Sequence, residues 1–263
     1  MIATTILDFS EGTWGEDRFC VLDRFCCVLD GATPIKQEEF AGYHSSAEWL
    51  ADQLIRRIPE GVAASVPYPL ICQGFVKAEA DIRHAFRDDY QLPCLTTAAM
   101  QQDGNLLTCW VLGDCSVYLL MKDGKVRHIT DNRVTRFSEK SQQAKNEAIR
   151  RGEDPTAAVL AQRIRNKSMM NHPGGYWTVG FTGNFAEEFV ECRVEAEKVQ
   201  AALLCTDGLD RLFIHHGIAP VQLLTEEIAL NEAVVFLRQR ERTSAQTELK
   251  RHDDIAAILW QNS

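Results

Sequence analysis

Short apolar runs ending in acidic turns recur along this chain. RFCVLD (18–23) is followed at once by RFCCVLD (24–30), a near-repeat with Asp23-Arg24 between the two apolar runs. Such runs bounded by turn residues predict a hairpin of two buried strands that delivers Asp30 to its turn. From Ser45 to Ile58 the spacing changes: Trp49, Leu50, Leu54 and Ile58 recur at helical period, with Ser46 as the expected N-cap. Phe75, Ile82 and Phe86 place a second helix over 70–86. Strand patterning returns in LTTAAMQQ, NLLTCWVLGD, SVYLLMKDG and KVRHIT, with hairpin signals at Asp103-Gly104-Asn105 and Lys122-Asp123-Gly124. These four segments are expected to form an antiparallel meander.

The stretch 138–171 is polar and reads as one or two exposed helices broken near Gly152 and Pro155. Strands are expected around Glu191–Ala196, up to Cys205, and over Ile255–Trp260, with two helices between Pro220 and Arg242. Helices at the start, middle and end surround a mostly antiparallel strand set, so the class is α+β rather than doubly wound α/β. No Pro-, Ser- or Gly-rich linker interrupts 1–263, which is read as one domain. His215-His216 precede Gly217 and are read as a helix end. The two glycines and aromatic pair of HPGGYW (172–177) either shape a loop near the cleft or turn the chain into a strand, the structural role being preferred.

Composition narrows the function. A formal net charge of −9 speaks against a nucleic-acid partner. The nine cysteines include no CxxC pair, and their odd number excludes a complete disulfide framework. A reducing, cytoplasmic setting is expected, since MIATTILDFSEG has no basic leader region and no run reaches membrane-spanning length. Neither GxGxxG nor GxxxxGKS is present.

The candidate chemistry lies in four acidic turns: Glu16-Asp17, Asp30-Gly31, Asp207-Gly208 and Asp253-Asp254. Three of them adjoin an apolar strand, where a carboxylate loses solvent and needs positive compensation. No Lys or Arg run lies beside these turns to serve them all. Carboxylate and carbonyl oxygens suit hard divalent cations such as Mg²⁺ or Mn²⁺, so a metal site built from distant segments is expected.

Five ordered motifs carry a resemblance that spans nearly the whole chain: GEDRF (15–19), VLDGAT (28–33), GDCSVYLLMKDGKVRHIT (113–130), LLCTDGLD (203–210) and HDDIAAILW (252–260). Together they resemble the metal-dependent protein phosphatases of type 2C, the PPM family. The resemblance implies a four-layer α-β-β-α sandwich of two antiparallel sheets flanked by helices. It also implies two Mn²⁺ or Mg²⁺ ions, with a third, weaker one. Asp30 would bridge the pair, the Gly31 carbonyl would bind one ion, and Asp207 and Asp253 would hold the first. Glu16 would face the second with Asp17 nearby, and Asp114 would serve an outer shell or the third ion. Catalysis would run through metal-bound water held over Asp30, Asp207 and Asp253. The substrate would be a phosphorylated protein, with a cognate Ser/Thr kinase as counterpart.

The chain departs from that pattern in its substrate-facing positions. Ala32-Thr33-Pro34 replaces the Gly-rich continuation of the metal turn, and Ala32 stands where animal members often carry a His. Ser116 replaces an Arg, Asp254 an Asn, and 11–15 contains no Arg or Lys. These changes open a second reading, a pseudophosphatase that binds phosphoproteins or regulates a partner. A third reading is a cysteine-dependent phosphatase, because Cys205 to Arg211 satisfies CxxGxxR and resembles the loop of myotubularin-type lipid phosphatases. The Arg-rich stretch Arg150-Arg151 to Arg163-Arg165-Lys167 is read as a solvated helix face rather than a docking site, while the resemblance places it in a variable flap beside the cleft, where it would be able to dock substrate.

Overall fold

The computed structural model describes residues 2–10, 12–32, 34–35, 39–243 and 252–262. Glu11 and Thr33, noted above among the motif departures, lie outside the described residues. Two antiparallel sheets stack at the centre. One has the order β1 (Ile2–Asp8), β11 (Ile255–Gln261), β10 (Val199–Cys205), β6 (Ser116–Met121), β7 (Val126–Thr130). The other runs β2 (Arg18–Val21), β3 (Phe25–Gly31), β4 (Cys94–Asp103), β5 (Leu106–Leu112), β9 (Val190–Glu195), and the two-residue β8 (Val179–Gly180) pairs with the start of β4.

Alternation along each strand explains the layering. In β3, Cys26 and Val28 point between the sheets, where they meet Met100, Val117, Leu204 and Ile258. Phe25, Cys27 and Leu29 point the other way, onto α1 (Ser46–Ala63) and α2 (Tyr68–Ala78). In the partner sheet, Leu203, Ala257 and Leu259 pack outward against α5 (Asp207–His215), α6 (Pro220–Leu224) and α7 (Leu230–Thr243). Strands covered on both faces read as continuous apolar runs, which is why RFCCVLD and QAALLCT carry so few polar residues. The result is the expected α-β-β-α sandwich. α3 (Thr135–Arg151) and α4 (Pro155–Lys167) form a helical hairpin, the break falling at Gly152 to Asp154 as the sequence suggested.

Three local expectations change. The N-cap of α1 is Ser45, whose Oγ accepts from the Glu48 N–H at 3.0 Å, and Ser46 is already helical. α2 ends at Ala78, and the expected continuation to Phe86 is a separate 3₁₀ turn over Ala80–Ala85. The four central strands are not one meander. β4–β5 and β6–β7 are hairpins in different sheets, and the chain crosses between them at Gly113. That crossing requires glycine: φ is +81°, and a Cβ would lie 2.2 Å from Thr96 Cγ2. β1 was not anticipated, because its pairing partner β11 lies at the far end of the chain.

A second close approach joins α5 to the last strand. A Cβ on Gly208 would lie 1.9 Å from the Asp254 carbonyl oxygen. Gly208→Ala is therefore expected to lower stability by about 1–3 kcal/mol in urea unfolding. Gly74→Ala, in α2 with nothing within 4 Å of the added carbon, is expected to raise it by about 0.5–1 kcal/mol. Equal effects at the two positions would show that the α5 approach is not tight.

Candidate active site

Where β3 ends, four acidic residues from distant segments face one cavity of about 420 Å³: Asp30, Asp114, Asp207 and Asp253. Each is placed by a different device. Asp30 is the penultimate residue of β3, in register with Thr96 of β4. Asp114 follows the Gly113 crossing and accepts from Thr96 Oγ1 at 3.0 Å. Behind it the buried Asp131 carboxylate accepts from the Gly113 N–H at 3.2 Å and is gripped by Arg133 at 2.8 Å. Asp131, which reads as an ordinary turn residue, thus holds the turn that presents Asp114.

Asp207 opens α5, and Asp253 precedes β11. The two are set side by side by Thr206, whose N–H donates to the Ala256 carbonyl and whose Oγ1 accepts from the Ala256 N–H, both at 3.0 Å. Arg238 of α7 holds the Asp253 carbonyl oxygen at 2.6 Å and pairs with Asp8 at 2.7 Å. Asp254 points away from the cavity. Its carboxylate accepts from the Ser10 and Glu16 N–H groups, each at 2.8 Å, and ties the first acidic motif to the last strand.

The electrostatics match the crowding. Burial pushes the Asp30 carboxyl well above the usual carboxylate range, and the charges of Asp17, Asp207, Asp114 and Asp253 push it further. Asp114 is raised as well, first by burial, against the opposing hydrogen bond from Thr96.

Of the residues singled out in the sequence, Asp30, Gly31, Asp114, Asp207 and Asp253 line the cavity together. Glu16 and Asp17 do not. They pass directly beneath the β3 turn, where a Cβ on Gly31 would lie 2.6 Å from Glu16 Cβ. Glu16 Oε1 accepts from Ser45 Oγ at 2.5 Å, while Asp17 reaches the cavity through its charge on Asp30. Apart from the Cys94 thiol, the metal donors that the lining offers are carboxylate, carbonyl, amide and hydroxyl oxygens, which suit a hard divalent cation. Among the described residues no three His, Cys, Asp or Glu side chains stand in a ready coordinating arrangement. The donors fit such an ion in kind, and their final spacing would come with it.

The cysteine alternative loses its nucleophile. Cys205 is fully buried, does not line the cavity, and donates to Asp210 Oδ1 at 3.3 Å. Burial and the neighbouring Asp210 carboxylate push its thiol well above the normal range, away from the thiolate that attack requires. Arg211 pairs with Glu241 at 3.0 Å. Ser116, standing where the family pattern has Arg, instead donates to Asp210, as does Tyr118 at 3.0 Å. These hydrogen bonds join α5 to β6.

Tyr176 of the HPGGYW turn and Thr178 just after it face the cavity with Phe137 and Val134 of the flap, so the turn shapes the cleft as well as leading into a strand. That turn is held by Arg136, which donates to the Gly174 and Gly175 carbonyls, the latter at 2.7 Å. Arg163 and Lys167 line the same cavity from α4, so the expected solvated face is in part a wall of the site. The available signal was their i, i+4 spacing.

Comparison with solved structures accounts for this architecture. Stp1 from Staphylococcus aureus, a serine/threonine phosphatase, matches with a TM-score of 0.57 at 12% identity, covering 99% of this chain and 94% of that one. The PPM Ser-Thr phosphatase MsPP from Mycobacterium smegmatis, in complex with cacodylate, matches at 0.54 and 14%, covering 100% and 99%. The catalytic domain of the serine/threonine protein phosphatase PstP, with two manganese ions, matches at 0.56 and 16%, covering 99% and 97%. The chain has the PPM phosphatase fold. No family model and no curated protein matches the sequence. Within a PPM fold, the end of the sheets where the four aspartates meet is the end from which β3, the β5–β6 crossing, α5 and β11 all present their turns.

The crowding predicts a stability signature in cation-free protein. The Asp30 carboxyl binds its proton more tightly folded than unfolded. Its contribution is therefore complete below the unfolded value of about 3.9 and is lost as pH rises toward the folded one. Asp30→Asn should raise the melting temperature in EDTA at pH 7, by about 2–4 °C per kcal/mol of repulsion removed. The gain should shrink to nothing near pH 4. A lower melting temperature for the variant at pH 7 would show that Asp30 is compensated within the protein.

Proposed function

We propose that this protein is a metal-dependent phosphomonoester hydrolase, a serine/threonine phosphoprotein phosphatase working with two Mn²⁺ or Mg²⁺ ions. The observation that carries this reading is the convergence of Asp30, Asp114, Asp207 and Asp253 on one cavity of a PPM fold. Divalent cations at such a site would supply Lewis acidity and a water nucleophile, the usual requirements of phosphoryl hydrolysis. Asp30, Gly31, Asp207 and Asp253 would hold the pair, with Glu16 and Asp17 supporting the ion nearest β3. Asp114, which shares its carboxylate with Thr96, would serve an outer position or a third ion.

The chain's own contribution is placement. Short aspartates at strand and helix ends lose little rotamer freedom when they are ordered, and the backbone clamp at Asp254 sets their spacing. The cavity wall of Phe137, Tyr176 and Val134 limits water around a bound phosphoryl group. Phosphoproteins are the expected substrates, with a Ser/Thr kinase supplying them. 1–263 would act as one catalytic unit.

A second reading is favoured by one observation, the absence of a ready three-ligand arrangement among the described residues. It is a phosphoprotein-binding pseudophosphatase of the same fold. Phosphate release from p-nitrophenyl phosphate and from a phosphothreonine peptide, with Mn²⁺ and with EDTA, separates the two. Turnover is expected only with the cation. Asp30→Ala and Asp207→Ala should lose more than the roughly 10–100-fold that outer-shell partners cost, together with Mn²⁺ binding by calorimetry. Asp114→Ala should lower kcat while leaving the first two binding events nearly intact. Cys205→Ala should leave kcat within about twofold, because a buried thiol with a raised pKa supplies no nucleophile. No turnover under any cation would favour the binding module.

A further inference from the structure

One cation beside the aspartate cavity has no partner among the described residues. Lys167 is the last residue of α4 and lines the same cavity as the carboxylates. Its Nζ is buried and makes neither a hydrogen bond nor an ion pair among the described residues. A desolvated ammonium with no acceptor is costly, so its place in a cavity wall points to an anion that enters from solvent.

The other basic residues nearby are committed. Arg18, the first cation after the GEDRF motif begins, donates to the Gly15 and Asp17 carbonyls at 2.9 and 2.8 Å and pairs with Glu48 at 3.2 Å. Arg133 is held by Asp131 and Glu188, at 2.8 and 2.7 Å. Arg136 is spent on the Gly174 and Gly175 carbonyls. Only Arg163 and Lys167 bring positive charge to the cavity lining among the described residues, and Arg163, one turn earlier, is exposed at its rim.

Lys167 is held in place by its neighbour. Asn166 Nδ2 donates to the Phe137 carbonyl at 2.8 Å and to Ser141 Oγ at 3.0 Å, locking the end of α4 onto α3. Gln162 donates to Asn166 Oδ1 at 2.8 Å and completes the lock. The side chain that follows Asn166 is thereby aimed at the cavity by buried hydrogen bonds.

We infer that Lys167 binds the phosphoryl oxygens of the substrate, taking from the α4 side the role for which 11–15 supplies no cation. The ligand class is a phosphomonoester dianion, which would sit between Lys167 and the aspartates that share its cavity. Arg163 meets the part of the substrate that leaves the cavity. This assignment rests on the hydrolase reading for the identity of the anion, and on the geometry of Lys167 for the existence of the site.

The test uses the whole chain with Mg²⁺, p-nitrophenyl phosphate as substrate and inorganic phosphate as probe. Lys167→Met keeps the side-chain length and removes the charge. It should raise both KM and the inhibition constant of phosphate on the order of 10- to 100-fold, with a smaller change in kcat. Lys167→Arg should recover most of both. Lys167→Gln serves as a second neutral variant, and melting temperature reports folding for all three. The phosphate-induced rise in melting temperature seen for the wild type should vanish in both neutral variants. Wild-type turnover with KM and phosphate affinity unchanged in folded Lys167→Met would overturn the assignment and leave the hydrolase standing. Lys167-dependent phosphate binding without turnover would support the assignment and remove the hydrolase. A wild type that shows no phosphate-induced shift and no inhibition by phosphate would overturn the assignment outright.

Discussion

The Asp254 clamp is the constraint from which the site follows. One carboxylate accepts from two backbone N–H groups near the other end of the chain, Ser10 and Glu16. Its own carbonyl is covered by Gly208 so closely that no side chain fits between them. Charge-assisted hydrogen bonds of this kind contribute about 1.5–3 kcal/mol each when buried. They also close a loop of nearly the whole sequence. With that crossing made, the turns at Asp30, Asp207 and Asp253 have little freedom to separate. The pairing of β1 with β11 continues the same closure along the edge of the sheet.

Holding those carboxylates together opposes folding. Burial and mutual repulsion both raise Asp30, and Asp114 shares the effect. The compensation comes from elsewhere in the molecule. Three apolar layers, one between the sheets and one under each helical face, supply the burial that lets the sheet ends keep unfavourable charge. Neutral donors serve a buried carboxyl elsewhere. Ser116, Tyr118 and Cys205 all give hydrogen bonds to the buried Asp210.

The flap adds the opposite sign. α3 and α4 touch the sandwich through a small apolar cluster of Cys94, Phe137, Met170 and Tyr176. Arg136 ties the hairpin to the 174–175 turn, and Asn166 locks its two helices together. The negative charge comes from the sheet ends and the positive charge from the flap, so the cavity lies between the sandwich and the helical hairpin.

Much of this was legible in the chain. Continuous apolar runs named the buried strands, helical spacing named α1, and Gly152 with Pro155 marked the break between α3 and α4. The acidic turns at strand ends located Asp30, Asp207 and Asp253, because a carboxylate there has few structural uses. Their convergence, the switch of sheets at Gly113, the strand β1 and the backbone role of Asp254 were not legible. Each depends on a partner far away in sequence, and local patterning carries no record of which distant segment will lie alongside. Lys167 shows the limit most clearly. In the sequence it is one more base in a polar helix, and Asn166 is one more polar residue. Only the packing of α4 on α3 buries that ammonium beside the aspartates, since burial belongs to the assembled surface and not to the residue. The sequence by itself determined which residues carry the charge. The tertiary structure decided which of those charges face one another.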